Sequence, residues 1–154
     1  MLTVLDLFSG IGGISLGLER TGGFKTVAFC EVDTYCQSVL RRHWPSVPVH
    51  GDIRTLQGGD IGTVDMVTGG FPCQPFSLAG QRKGRTDERF LWPEMLRVIR
   101  ECQPSWILGE NVPGIISLGV DQILDDLAHG GAERCVVVHD EELEWCAIGH
   151  AGKS

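Results

Sequence analysis

Cys73 stands in the segment Gly69-Gly70-Phe71-Pro72-Cys73-Gln74-Pro75-Phe76-Ser77, with Pro72 directly before it and Pro75 two residues after. A thiolate presented there would be a nucleophile, and the two proline rings stiffen the backbone that carries it. A cysteine met singly is more often a small core residue, and its residue type alone leaves that open. A carboxyl group comes later in the chain. Glu110, in Glu110-Asn111-Val112-Pro113, follows the apolar run Ser105-Trp106-Ile107-Leu108-Gly109. That position predicts a half-buried acid, either a paired structural group or a proton donor.

A second set of residues has the makings of a nucleoside site. The turn Phe8-Ser9-Gly10-Ile11-Gly12-Gly13 is rich in glycine, which permits a tight turn and a close approach of ligand to backbone. Glu31 lies 21 residues after Gly10, where a carboxylate can accept hydrogen bonds from both hydroxyls of a ribose. Asp52 ends a third apolar run and could accept from the amino group of an adenine. The dinucleotide fingerprint would need glycine where Ser15 stands, and no Lys or Arg adjoins the turn in sequence. An adenosine without phosphates therefore fits better than a pyrophosphate. The competing account is a helix N-terminus that holds no ligand.

These residues need elements to bring them together. Leu2–Phe8, Lys25–Val32, Val47–Ile53, Val64–Gly70 and Ser105–Val112 read as strands. Gly12–Arg20 and Leu91–Cys102 read as helices, the latter with Pro93 in its first turn, where proline is tolerated. Asp33 is a good N-cap for a helix through His43 that stops before Pro45. A further helix over Val120–His129 and strands at Cys135–His139 and Glu144–Ile148 complete the pattern. Strands alternating with helices predict an α/β fold, a doubly wound and mainly parallel sheet covered on both faces. Ligands of such sheets bind at the carboxyl ends of the strands. Phe8–Gly13, Glu31, Asp52, Gly69–Ser77 and Glu110–Gly114 all fall at those ends.

Composition narrows the class. The chain has 154 residues, 42% hydrophobic and 21% charged, as expected for one globular domain spanning 1–154. No apolar run approaches the roughly 20 residues of a membrane span, and the sequence opens without a basic leader, so a cytoplasmic protein is expected. None of the six cysteines forms a CxxC pair, so neither a metal site nor a disulfide scaffold is expected. The net charge of −7 is unevenly spread. Residues 121–154 hold eight acids and two bases, whereas the other 120 residues hold twelve acids and eleven bases. Gln81–Arg89 is locally basic, with Arg82, Lys83, Arg85 and Arg89 against Asp87 and Glu88. Such a loop is either a solvated surface turn or a phosphate contact.

Asp6-Leu7-Phe8-Ser9-Gly10-Ile11-Gly12-Gly13, Gly70-Phe71-Pro72-Cys73-Gln74-Pro75-Phe76-Ser77 and Glu110-Asn111-Val112 together resemble the hallmark motifs of DNA (cytosine-5)-methyltransferases, in the family's order. The likeness covers residues 1 to about 118. It implies the Rossmann-like fold of S-adenosylmethionine-dependent methyltransferases, and DNA methylation of the restriction–modification kind. S-adenosylmethionine would be the cofactor, lined by Phe8, Gly10, Gly12 and Pro72. Glu31 would hold its ribose, and Asp52 with Ile53 its adenine edge. Cys73 would attack carbon 6 of a cytosine flipped out of double-stranded DNA. Glu110 would bond that base at ring nitrogen 3 and the amino group. Gln74, Ser77, Arg82, Lys83, Arg85 and Arg89 would meet DNA, the cations through phosphates.

Past Ser117 the likeness thins. The family's arginine-bearing motif, its target-recognition domain and the C-terminal segment that completes its cofactor lobe have no counterpart in the sequence, so a C-terminally incomplete domain is expected. A truncated product, a fragment, or one part of a split enzyme with a complementary chain are three origins that stay open. Beside a methyltransferase subunit stand two other readings: a non-catalytic module that binds S-adenosylmethionine or DNA, and an adenosine-cofactor protein with an unrelated substrate.

Overall fold

The computed structural model describes residues 1–72, 91–111, 123–127 and 134–139. Its strands are β1 (Leu2–Leu7), β2 (Phe24–Cys30), β3 (Val49–His50), β4 (Met66–Gly69), β5 (Trp106–Asn111) and β6 (Arg134–His139). Its helices are α1 (Gly13–Arg20), α2 (Thr34–His43), α3 (Gly58–Ile61) and α4 (Trp92–Cys102), and residues 123–127 are also helical. The strands form one sheet in the order β3-β2-β1-β4-β5-β6, and every neighbouring pair is parallel. The expected strand at Glu144–Ile148 lies outside the described residues.

The order reverses beside β1. The chain steps outward through β2 to β3, then returns to pair β4 with the other side of β1. Right-handed crossovers in both directions place helices on opposite faces, which is the doubly wound arrangement. β1 and β4 are therefore central, and from Val4 onward in β1 and throughout β4 their side chains are buried on both faces. Val4, Leu5 and Leu7 are fully buried, as are Val67 and Thr68. This explains why these strands read as mainly apolar runs rather than alternating ones.

α4 covers one face with Trp92, Met95, Leu96, Ile99 and Cys102, the i, i+3, i+4, i+7 spacing of an apolar helical stripe. Pro93 sits in its first turn, as expected. Asp33 caps α2 by accepting from the Cys36 amide at 2.9 Å. Two elements differ from expectation. β3 is only two residues long, because Gly51 and Asp52 turn the chain away from the sheet edge. α3 was not expected, since Gly58 and Gly59 are poor helix formers. It is held by docking onto α4.

Candidate functional site

Strand register sets the site. Leu7 pairs with Cys30 on one side and with Gly69 on the other; Cys30 pairs with His50, and Gly69 with Gly109. The next residue on each strand is Phe8, Glu31, Gly51, Gly70 or Glu110. These five stand in one row along the carboxyl edge, across the point where strand order reverses. Open α/β sheets bind ligands at that point.

The turn after β1 uses unusual backbone. Phe8, Gly10 and Gly12 have φ of 53°, 53° and 85°. For Phe8 this left-handed conformation is strained, of a kind that clusters at functional sites. A Cβ on Gly12 would lie 2.8 Å from the Trp44 ring and 2.9 Å from Leu40, so the end of α2 presses directly on the turn. Trp44 is itself fixed, since its indole N–H donates to Glu19 at 2.8 Å. Glu31 holds the turn from the other side. One carboxylate oxygen accepts from Gly10 N–H at 2.7 Å and the other from Asp33 N–H at 2.8 Å. A carboxylate has about four acceptor positions, so two remain.

Beside the turn lies a cavity of about 220 Å³ lined by Phe8, Glu31, Asp52, Ile53, Pro72 and Leu91, among others. The resemblance-derived residues Phe8, Glu31, Asp52, Ile53 and Pro72 thus come together. Gly10 and Gly12 belong to the adjoining turn. Sequence reasoning missed Cys30, Val32, Gly51, Arg54 and Leu91, which also line the cavity. Arg54 pairs with Asp52 at 3.3 Å, so a cation does border the cavity although none adjoins the glycine turn. Burial, with the charges of Glu31 and Asp52, pushes the Cys30 thiol up to about 12, so it stays a neutral wall residue.

Glu110 is exposed, not half-buried as its apolar run suggested. It has passed the covered part of β5 and lies over Gly70, which has no side chain to shield it. A Cβ on Gly70 would stand 2.5 Å from the nearer Glu110 carboxylate oxygen. Pro72 and Leu91 flank the segment that carries Cys73, and Phe71 packs on Trp92 with ring centroids 5.2 Å apart. The described residues on either side of that segment, Pro72 and Leu91, both line the cavity. Cys73, Gln74, Ser77, Arg82, Lys83, Arg85 and Arg89 themselves lie outside the described residues.

Asp6 received no role from the sequence, yet it is the buried acid beneath the turn. Its carboxylate accepts from Ser15 Oγ at 2.6 Å and Thr68 Oγ1 at 2.9 Å, tying α1 and β4 to β1. Burial pushes its carboxyl up to about 6 against the opposing effect of those hydrogen bonds. The available signal was an acid inside an otherwise apolar strand.

Among the described residues no cluster of three or more His, Cys, Asp or Glu could hold a metal, and no helix is long and apolar enough to cross a membrane. Residues 2–131 match the family described as C-5 cytosine-specific DNA methylase. The chain is 43% identical over 115 residues to the type II methyltransferase M.NgoMIV of Neisseria gonorrhoeae, covering 74% of this chain and 36% of that protein. It is 41% identical over 135 residues to M.HgiCII of Herpetosiphon aurantiacus, covering 82% and 30%. The crystal structure of the S. pombe Dnmt2 methyltransferase superposes with a TM-score of 0.67 at 26% identity, covering 84% of this chain and 42% of that one. The chain thus spans about a third of the length of these curated relatives.

Proposed function

Because this chain belongs to the C-5 cytosine-specific DNA methylase family, we propose that it carries the cofactor-binding and catalytic part of a DNA cytosine methyltransferase. The observation that carries this reading is the row along one sheet edge. It sets the glycine turn, Glu31, the Asp52 segment, Gly70 and Glu110 side by side.

The residues fit S-adenosylmethionine. Glu31 keeps acceptor positions for ribose hydroxyls, and Asp52 is a carboxylate for an amino group. Phe8, Ile53, Pro72 and Leu91 offer apolar surface to a purine. The cavity is smaller than the roughly 300–1,000 Å³ that enclose drug-sized ligands, which suits one end of the cofactor rather than all of it. The open glycine turn takes the remainder. When bound, the cofactor supplies a methyl group on a sulfonium as the electrophile.

The protein's task is to make carbon 5 of cytosine a nucleophile. The Cys73 thiolate adds to carbon 6 of a flipped-out cytosine, forming an S–C bond and breaking the ring's aromaticity. Glu110 delivers a proton or a strong hydrogen bond at ring nitrogen 3, where the displaced electron pair collects. Carbon 5 is then enamine-like and takes the methyl. Loss of the carbon 5 proton to a base re-forms the ring double bond and expels the thiolate. Gln74, Ser77, Arg82, Lys83, Arg85 and Arg89 contact the double-stranded DNA substrate. Turnover requires the regions of the relatives that this chain does not span, on one chain or on a complementary one.

Tritiated-methyl transfer to duplex DNA by the chain together with those regions tests the proposal. Cys73→Ser should abolish incorporation, and Glu110→Gln should lower it by about a hundredfold or more. Full activity in Cys73→Ser would remove the covalent route. Calorimetry tests the cofactor half without turnover. Glu31→Ala should weaken S-adenosylmethionine binding by about tenfold, the cost of a lost charged hydrogen bond. Equal binding by wild type and variant would take Glu31 out of the site. Persistent inactivity of the completed wild type, with cofactor binding intact, would favour a non-catalytic binding module.

A further inference from the structure

Arg97 lies on α4, outside the cofactor cavity, yet all three guanidinium nitrogens are engaged. Nε donates to Glu94 at 3.0 Å and one terminal nitrogen to Glu101 at 2.8 Å. The other donates to the backbone carbonyl of Ile53 at 2.8 Å. Ile53 is buried and lines the cavity directly after Asp52. A second tether follows five residues on, where Glu101 accepts from Gly58 N–H at 2.6 Å. That bond and the Arg97 charge hold the Glu101 carboxyl below its usual range. The contact is close: a Cβ on Gly58 would stand 2.5 Å from that of Glu101.

The same helix reaches the cavity a second time. Leu91, its N-cap residue, forms part of the wall. Arg97 lies six positions along the helix from Leu91, about 9 Å of axial rise. α4 therefore supplies one side of the cavity and grips the backbone of the other. A guanidinium suits this because its planar fork fixes three partners at once, which an ammonium on a flexible stem does not.

We propose that Arg97 is a positioning residue for base recognition, holding the Asp52–Ile53 segment where Asp52 distinguishes a 6-amino purine from a 6-oxo purine. The inference rests on the adenosine reading of the cavity given above. A 6-amino group donates to the Asp52 carboxylate, whereas a 6-oxo group sets an acceptor against an acceptor. Arg54 holds the carboxylate locally, through its amide at 2.9 Å and its guanidinium at 3.3 Å, so the discrimination is lost when the whole segment is free to drift.

Calorimetry on the whole chain with S-adenosylhomocysteine and its deaminated S-inosyl analogue measures it. The wild type should prefer the adenosyl compound by about tenfold or more, since mismatched polar groups are costly. Arg97→Met should bring the ratio to within about threefold of unity while the chain remains folded in a thermal melt. Arg97→Lys, which preserves a positive charge but not the fork, should fall between. The ratio is the decisive readout, because general softening of the fold would weaken both ligands alike. A strong wild-type preference retained in Arg97→Met overturns this inference alone. If Arg97→Met does not fold, an unchanged ratio in Arg97→Lys overturns it. A wild-type ratio near one, unaltered by Asp52→Asn, would overturn the adenosine reading of the cavity and this inference with it.

Discussion

Asp6 shows what a single residue contributes to this site and what it costs. It is 1% exposed, and its two side-chain donors, Ser15 and Thr68, come from α1 and from the neighbouring strand β4. Removing a carboxylate from water is costly unless hydrogen bonds compensate, and here compensation is partial, so the carboxyl titrates near 6. Below about pH 4 the group is protonated in both folded and unfolded chains, and its contribution is fully present. Between about 4 and 6 the unfolded chain loses the proton first, so stability falls as pH rises, by up to about 3 kcal/mol, and levels above that range. Asparagine at this position has no such titration. The stability of the wild type relative to Asp6→Asn should therefore decline from pH 4 to pH 6 in urea unfolding. A difference independent of pH would mean that Asp6 is not the buried acid described. Glu31 is the neighbouring charge that raises Asp6 further, so Glu31→Gln should weaken the trend.

The glycine turn is the element on which the site depends, and adjacent glycines in it have opposite sensitivities. Gly12 has φ of 85° and no room for a Cβ, because Trp44 and Leu40 occupy the space. Gly13 begins α1 with nothing within 4 Å of its ideal Cβ. Gly12→Ala should lose about 1–3 kcal/mol of stability and most cofactor affinity. Gly13→Ala should be neutral or gain up to about 1 kcal/mol. Thermal melts with calorimetry separate the two, and equal effects would show that the turn's backbone does not constrain the site. The sequence revealed that this turn existed because glycines interrupt an apolar run. It did not reveal Trp44, 32 residues later, as the contact that excludes a side chain. The same reason limits the rest. Strands and helices were legible from local periodicity, and Asp33 from its capping chemistry. The Asp6–Thr68 bond spans 62 residues and the Arg97–Ile53 bond 44, so only the assembled sheet brings them together. α3 was missed because its two glycines oppose helix formation locally, and tertiary contact with α4 prevails. Glu110 was misjudged because an apolar strand implies burial, whereas Glu110 stands exposed at the carboxyl edge.

At the scale of the whole molecule, the distribution of charge bears on DNA affinity. DNA affinity without sequence recognition comes mostly from cations that displace counterions at phosphates. The basic segment 81–89 offers four such cations, while residues 121–154 oppose them with eight acids against two bases. Binding by this chain alone should be weak, with a slope of log affinity against log salt no steeper than about −4, the limit set by four phosphate contacts. Flipping a cytosine costs a further few kcal/mol, which contacts from elsewhere must offset. The part of this chain that matches its relatives spans about a third of their length. The chain alone should thus incorporate little tritiated methyl into duplex DNA, although it carries both Cys73 and Glu110. Adding the regions that match the remainder of a relative, in the same reaction, should raise incorporation and steepen the salt slope together. Vigorous incorporation by the chain alone, abolished by Cys73→Ser, would show that the 81–89 segment and the sheet-edge site suffice to hold a flipped base.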